Sequence, residues 1–455
     1  IQAGELEPHD EAKAGFALGM LVNALAPTNF LASNPAALRK AVETHGASVV
    51  KGFRNFVNDL IEHHGMPTQV DRSAFTVGKD LAATPGKVVF RNNLMELIQY
   101  TPQTGSVYEV PTLVSPPWIN KYYLMDLAPG RSFIEWAVQH GHTVFAISYR
   151  NPDSTMRGVR LDDYLIHGPV QALDVIADIT GTRRVNVSAL CIGGTLTAML
   201  LGYLKAGGDD RVQAVTMLNT LIDFSEPGPL GVFTDPDSIA KLERRMAPKG
   251  FLDSADMEWA FNFLRANDLI WNYVASNWLM GEDPPAFDIL AWNADSTRLP
   301  ASMHSFYLRW CYQENQLARG QMTLAGRRLE LSQVNPDFYL VGAVEDHIVP
   351  WASAYKTVGI VGGECRYVLT SSGHIAGVVN PPQAQGGGKR KYWTNDRLGA
   401  DAQQWRAEAT EHPGSWWEDW APWIGERAGN RRTPPPMGSA NHPAGADAPG
   451  EYVHG

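Results

Sequence analysis

The spacing of apolar residues predicts a helical region first and then an alternation of strands and helices. Between residues 8 and 65 apolar residues recur every three or four positions, and Pro35 after Ser33 and Asn34 is a typical helix start. From residue 87 the apolar residues gather in short runs instead. The runs predict strands at 87–90, 97–100, 112–114, 143–149, 185–190, 214–218, 338–341 and 367–370, and helices at 131–140, 162–179, 194–206 and 352–360. This alternation predicts an α/β fold with a mostly parallel sheet covered on both faces.

The alternation stops between residues 222 and 335, where large aromatic residues concentrate. Because the strand pattern resumes afterwards, we interpret this stretch as a helical cap inserted over a site, in preference to a plain helical subdomain. The predicted division is 1–86 as an N-terminal helical region, 87–221 and 336–426 as the two parts of the core, 222–335 as the cap, and 427–455 as a Pro/Gly/Ala-rich tail. We expect the N-terminal helices to dock on the core or on a partner and the tail to be poorly ordered.

Composition argues against several classes of partner. The net charge is −10, so a nucleic acid would meet mostly repulsion, and the basic runs at 389–391 and 431–432 are interpreted as solvated surface. No apolar stretch reaches the roughly 20 residues of a membrane helix, and no signal peptide is recognisable, which predicts a cytoplasmic protein without a transmembrane segment. The chain begins with Ile1 and not Met, so we expect its natural N-terminus to be missing.

The chain has three cysteines, Cys191, Cys311 and Cys365, and none belongs to a CxxC pair. A disulfide framework or a zinc knuckle is therefore not expected. The histidines at 63–64 and 140–142 lack the carboxylate or cysteine neighbours of a metal site, so no metal is predicted. The three glycines at 386–388 follow no strand and predict a flexible loop, not a phosphate-binding one.

Cys191 is the candidate nucleophile because it ends an apolar strand and precedes two glycines and a helix. The segment Val185–Thr195 has the layout of the nucleophile elbow of α/β-hydrolases, whose usual form is G-x-S-x-G. The turn exposes the nucleophile above the sheet, the helix N-terminus favours a thiolate, and the Ile192 N–H is predicted to be one oxyanion donor. The segment departs from the usual form twice, in its cysteine and in Ala189 at the position of the first glycine.

Asp346 and His374 follow Cys191 in the order that α/β-hydrolases use for the acid and the base. Each comes shortly after a predicted strand. Taken singly, Asp346 could cap the next helix and His374 could be an ordinary loop histidine, while His347 beside the acid is a rival base. The ordered series of three residues at strand ends nevertheless favours a catalytic triad.

The loop after the strand at 112–114 is where such folds place the second oxyanion donor. Pro116 and Pro117 have no N–H group, so Trp118 or Ile119 is the candidate. The sequence does not choose between these two.

The sequence resembles the class I poly(3-hydroxyalkanoate) synthases over residues of about 15–425. The resemblance rests on long strings, among them Pro116–Leu127, Asn267–Tyr273, Asp346–Trp351, Ser372–Pro382 and Gly414–Trp417. It implies an α/β-hydrolase core and carries the family's cysteine, aspartate and histidine over to Cys191, Asp346 and His374. Ala189 departs from the glycine that the family usually has before its cysteine.

The resemblance also implies the reaction and the partners. It implies an acyltransferase that polymerises (R)-3-hydroxyacyl-coenzyme A, with short units such as 3-hydroxybutyryl preferred. Coenzyme A is then the leaving group, no cofactor is needed, and the partners are the growing polyester, a second copy in a homodimer and the surface of a polyester granule. Lys121 either contacts a coenzyme A phosphate or, in the interpretation we favour, is exposed surface. The alternatives are a cysteine-variant thioesterase or polyester depolymerase, and an inactive granule-binding protein.

Overall fold

The computed structural model describes residues 7–382 and 389–455. They form two compact units. The smaller unit comprises the described residues up to Phe75 together with Ser254–Asp295, and the larger unit comprises Thr76–Asp253 together with Ser296–Gly455. The predicted flexible loop at 386–388 lies outside the described residues.

Among the described residues, the larger unit is built on a sheet of ten strands. These are β1 Gly86–Arg91, β2 Met95–Tyr100, β3 Thr112–Ser115, β4 Val144–Tyr149, β5 Val185–Leu190, β6 Val212–Leu218, β7 Asp337–Ala343, β8 Cys365–Thr370, β9 Lys391–Thr394 and β10 Thr410–Pro413. Their order is β1-β2-β4-β3-β5-β6-β7-β8-β9-β10. Six neighbouring strands are parallel, in the sheet order β4, β3, β5, β6, β7 and β8. The strands at both edges of the sheet, β1 and β2 on one side and β9 and β10 on the other, pair antiparallel. All eight predicted strands are present, with ends within two residues of the prediction.

Helices precede the first strand, connect the consecutive parallel strands, and lie on either side of the last strand. They are α1 Pro8–Ala24, α2 Pro35–Glu43, α3 Ala47–Glu62, α4 Phe133–Gln139, α5 Leu161–Leu165, α6 Gln171–Thr180, α7 Ile192–Ala206, α8 Pro236–Lys249, α9 Ser254–Leu264, α10 Asp288–Asn293, α11 Ala301–Tyr307, α12 Trp351–Tyr355, α13 Ala402–Glu408 and α14 Trp416–Gly425. Wider π-helical turns follow at Ile166–Val170, Asn267–Trp271, Val274–Leu279 and Leu308–Gln313. Strand β5 is buried at every position, as expected of a central strand covered on both faces.

Helix α14 shows how the sheet is covered. Ser415 caps it by accepting a hydrogen bond from the Trp417 N–H. Trp416, Trp417 and Trp420 are buried, and the indole N–H of Trp420 donates to Thr216 Oγ1 on β6 at 2.8 Å. The polar edge of a large apolar side chain is thereby satisfied inside the core.

In the smaller unit, helix α3 buries its small and polar face. A Cβ on Gly52 would lie 2.0 Å from Trp278 O, so the backbones touch there. Asp59 is buried and accepts a hydrogen bond from Trp278 Nε1 at 2.7 Å. The apolar residues Val50, Phe53 and Ile61 of the same helix are exposed.

The stretch 222–335, predicted to be a single cap, is divided in the structure. Ser254–Asp295 clusters with the N-terminal helices, whereas the segments before and after it belong to the larger unit. The physical reason is that α3 packs against the π-helical turn at Val274–Leu279. These two segments are far apart in the sequence, so the local apolar pattern does not predict their contact.

Residues 427–455 are bound to the edge of the sheet, so the expectation of a poorly ordered tail is wrong. Gly445 N–H donates to Val88 O, and Val88 N–H donates to Ala446 O, both at 2.8 Å. Farther along, the buried carboxylate of Glu96 accepts a hydrogen bond from the Tyr452 N–H at 2.9 Å. Proline and glycine weaken helices and strands, but they do not prevent a segment from pairing with an exposed strand edge.

Candidate active site

Cys191 lies in a sharp turn between β5 and α7. Its backbone has φ 53° and ψ −125°, and a positive φ at a non-glycine residue is the kind of strain that collects at functional turns. The Cys191 N–H donates to Leu218 O, at the end of the neighbouring strand β6, at 2.9 Å. Ile192 begins α7, and its N–H donates to no acceptor within the described residues. Cys191 therefore stands at the kind of elbow that the sequence predicts.

Two glycines allow the backbone to pack closely behind this elbow. A Cβ on Gly193 would lie 2.3 Å from Ser115 O, and a Cβ on Gly194 would lie 2.0 Å from Thr220 Oγ1. Ala189 is different, because it is a buried strand residue paired with Ser115 and the sheet already accommodates its methyl group. The departure from the usual motif at this position is therefore tolerated.

Asp346 and His374 lie after the adjacent parallel strands β7 and β8. His374 Nδ1 is 2.6 Å from Asp346 Oδ2, and both side chains are buried. The other carboxylate oxygen accepts hydrogen bonds from the N–H groups of Ile348 and Val349, each at 2.8 Å. Asn219, a residue that the sequence analysis missed, donates from Nδ2 to His374 O at 2.6 Å. The predicted acid and the predicted base are thus held by hydrogen bonds to each other and from neighbouring groups.

The electrostatics of His374 link it to both other members of the predicted triad. Burial lowers the pKa of His374, but the charges of Asp346 and Cys191 and the hydrogen bonds to both side chains raise it to about 10. A histidine in this environment can hold a proton given up by a thiol while the carboxylate stabilises the imidazolium. It is His374, and not the rival base His347, that makes the 2.6 Å contact with Asp346.

Three aromatic side chains, Phe224, Tyr307 and Tyr312, form a cluster in the larger unit. Burial raises the pKa of Tyr307 and Tyr312 most, and the charge of Cys191 raises both further. The Phe224 ring is 4.8 Å from that of Tyr312 and 5.8 Å from that of Tyr307. Aromatic enrichment after residue 222 was the only sequence signal for this cluster, and it does not single out these three side chains.

The loop that follows β3 carries the two candidate oxyanion donors. Trp118 is buried, and its ring lies 5.0 Å from that of Tyr164 and 5.9 Å from that of Tyr149. Within the described residues, neither the Trp118 N–H nor the Ile119 N–H donates to a hydrogen-bond acceptor. Both groups therefore keep the free donor that an oxyanion hole requires.

Lys121 is buried, so the interpretation of this residue as exposed surface is wrong. Its Nζ donates to Gly455 O at 2.5 Å and to Tyr452 O at 3.5 Å. The tail supplies these carbonyl groups, and its packing against the sheet edge is what buries the lysine.

The residues that the structure describes contain neither a cluster of possible metal ligands nor a helix that could span a membrane. In residues 7–382 and 389–455, no three His, Cys, Asp or Glu side chains are grouped so that they could hold a metal ion. No helix in the same residues is both long and apolar enough to cross a bilayer.

Comparison with known proteins supplies the family. Residues 1–137 match the model described as "Poly-beta-hydroxybutyrate polymerase (PhaC) N-terminus", and residues 127–381 match the model of the alpha/beta hydrolase fold. A poly(3-hydroxyalkanoate) polymerase of Methylorubrum extorquens is 46% identical over 98% of this chain and 74% of its own length. The chain belongs to the poly(3-hydroxyalkanoate) polymerases.

Other polymerases of the family are also similar to nearly the whole length of this chain. The polymerase subunit PhaC of Cupriavidus necator is 43% identical over 99% of this chain and 77% of its own length. Polymerase 1 of Ectopseudomonas oleovorans is 39% identical over 100% of this chain and 80% of its own length. The predicted α/β-hydrolase fold and the predicted family are both confirmed, and the protein is an acyltransferase that makes polyester.

Proposed function

We propose that this polymerase joins (R)-3-hydroxyacyl units from coenzyme A thioesters through an acyl-cysteine intermediate on Cys191, with His374 as base and Asp346 as its orienting acid. The observation that carries the proposal is the 2.6 Å contact between His374 and Asp346, combined with the dependence of the His374 pKa on the charge of Cys191. The three groups come from three different strand ends, which is the layout of a catalytic triad.

The first half-reaction is thioester exchange. Cys191 gives its proton to His374 and attacks the acyl carbon, and the N–H groups of Ile192 and of Trp118 or Ile119 stabilise the oxyanion. When the tetrahedral intermediate collapses, the bond to the coenzyme A sulfur breaks and His374 returns the proton to that sulfur. One thioester replaces another, so the step is close to thermoneutral and cysteine is well suited to it.

The second half-reaction transfers the acyl group to the hydroxyl of another unit or of the growing chain. Acylation removes the Cys191 charge that helps to raise the pKa of His374, so the imidazole is left able to accept the hydroxyl proton. Asp346 is less suited to this role because one of its oxygens contacts His374 and the other accepts two backbone hydrogen bonds. We therefore assign the base in both half-reactions to His374.

The aromatic cluster supports ester formation over hydrolysis. Water competes with the hydroxyl for the acyl-cysteine, and a site that excludes water favours the ester product. Phe224 and Tyr307 are buried, their rings lie 5.8 Å apart, and the charge of Cys191 helps to raise the pKa of Tyr307. A thioesterase or depolymerase would need water at the same position.

Incubation with (R)-3-hydroxybutyryl-coenzyme A is expected to release free coenzyme A and to form an insoluble polyester. One molecule of coenzyme A should be released for each 3-hydroxybutyryl unit that enters the polymer. The released thiol is measured with a colorimetric thiol reagent, and the polymer is measured by turbidity and by dry weight. In competition, the 3-hydroxybutyryl thioester should be consumed before the 3-hydroxydecanoyl thioester. Release of free 3-hydroxybutyrate without polymer would identify the protein as a hydrolase, and preference for the longer unit would overturn the proposed chain length.

We also propose that the enzyme acts in the cytoplasm, as a homodimer on the surface of polyester granules, and that helix α3 contributes to that attachment. Val50 and Ile61, on the apolar side of α3, are 72% and 68% exposed. An apolar surface of this kind is typical of an interaction site, and a polyester surface is itself largely apolar.

Replacing Phe53 and Ile61 together with serine is expected to lower binding to polyester particles several-fold while leaving soluble thioester turnover unchanged. Binding is measured by co-sedimentation with washed particles. The control is Arg54→Gln, a change at an exposed polar position on the same helix. If the double variant binds particles normally but loses dimer in sedimentation velocity, the surface pairs two copies and does not bind polyester.

A further inference from the structure

Thr297 makes two hydrogen bonds to the loop that carries the candidate oxyanion donors. Its hydroxyl donates to Trp118 O, and its backbone N–H donates to Ile119 O at 3.0 Å. Thr297 is 4% exposed, so both bonds are shielded from water. All three residues belong to the larger unit.

The geometry of the peptide bond gives these contacts a consequence for the Ile119 N–H. The Trp118 carbonyl and the Ile119 N–H are the two ends of one planar trans peptide unit, so they point in opposite directions. A hydroxyl that holds the carbonyl on one side therefore fixes the N–H on the other. If this peptide turned over, the carbonyl would take the position of the donor, and the buried Thr297 hydroxyl would lose its acceptor.

The loop is also fixed relative to the nucleophile. It follows β3, which pairs with β5 in the register Ser115 to Ala189, two residues before Cys191. Gly193 packs so closely against this loop that a Cβ would lie 2.6 Å from Pro116 O. The loop therefore lies on the first turn of α7, where the oxyanion forms.

We propose that Thr297 is a positioning residue for the oxyanion hole and that it holds the Trp118–Ile119 peptide so that the Ile119 N–H, and not the Trp118 N–H, is the second donor. This inference rests on the proposed acyl-cysteine mechanism and names a residue outside the triad. The segment after residue 295, which the sequence analysis assigned to a cap, would then also take part in acyl transfer.

Thr297→Val removes the hydroxyl and keeps the size of the side chain. Acylation of this variant by 3-hydroxybutyryl-coenzyme A is expected to be slower by about 10- to 100-fold, somewhat less than the 10²–10³-fold cost of deleting an oxyanion donor outright. Alkylation of Cys191 by iodoacetamide should change less than about twofold, because displacement at a saturated carbon develops no oxyanion. Burst kinetics measures the first rate, and mass spectrometry of the Cys191 peptide measures the second.

Three further variants complete the experiment. Thr297→Ser keeps the hydroxyl and should acylate at nearly the normal rate, whereas Thr297→Ala repeats the loss with a smaller side chain. Thr180→Val is the matched control, because that buried hydroxyl also donates to a backbone carbonyl, Ile176 O at 2.7 Å, away from the site. It should leave both rates unchanged.

The outcomes separate the possible explanations. Equal loss of acylation and alkylation in Thr297→Val and Thr297→Ala would show a structural role and overturn the inference. Unchanged acylation would overturn it as well, because the oxyanion hole would then not depend on the Thr297 hydroxyl. A wild-type enzyme that takes up no acyl group would overturn the proposed mechanism and this inference with it.

Discussion

Cys191→Ala is expected to abolish both the acyl-enzyme and the polymer while leaving the fold intact. Alanine removes only the sulfur and tolerates the same backbone as any other non-glycine residue, so the φ of 53° should be no more strained than before. The loss should reach the detection limit, because no other side chain stands at the elbow. Incubation with labelled 3-hydroxybutyryl-coenzyme A, followed by denaturation and peptide mapping, measures the covalent adduct.

The other two cysteines provide the controls. Cys311 is buried, and burial raises the pKa of its thiol well above the usual range. Cys365 begins β8, and burial together with the charge of Asp337 raises the pKa of its thiol to about 12. Neither thiol is suited to nucleophilic attack, so Cys311→Ala and Cys365→Ala should keep most of the activity. Label found on either of them in the wild type would disprove the assignment of Cys191.

The elements that carry the proposed triad could be predicted from sequence because their signals are local. The apolar runs at 185–190, 338–341 and 367–370 define β5, β7 and β8, and the residues after such strands meet at one edge of a parallel sheet. Chain order then assigns Cys191, Asp346 and His374. Only the structure, however, distinguishes His374 from His347 as the partner of Asp346.

The features that the sequence analysis missed depend on contacts between distant segments. Lys121 is buried because the tail reaches it, 331 and 334 residues farther along the chain. Asn219 and Thr297 bind backbone carbonyls of the site, 155 and 179 residues away respectively. A polar residue that serves a remote carbonyl has no spacing or composition that marks it, so neither could be identified from the sequence.

His374→Gln is expected to slow acyl-enzyme formation by about 10²–10⁴-fold, the usual worth of a general base. A glutamine amide can still donate to Asp346, so the buried carboxylate keeps a partner and the fold should survive. It cannot take the proton of Cys191 or return one to coenzyme A. Stopped-flow thiol release measures the rate, and unfolding temperature shows whether the variant is native. A loss below tenfold in a native variant would mean that another group is the base.

Asp346→Asn then tests how His374 is controlled. The Asp346 charge is the largest cause that raises the pKa of His374, so its removal should lower that pKa below about 10. Above the lowered pKa the imidazole is neutral and has no proton for the leaving coenzyme A. The alkaline limb of the acylation rate should therefore move to lower pH in the variant. Because both Asp346 oxygens are already occupied, acylation and elongation should fall by similar factors at pH 7. An elongation rate that falls ten times more than acylation would instead make Asp346 the direct base for the hydroxyl.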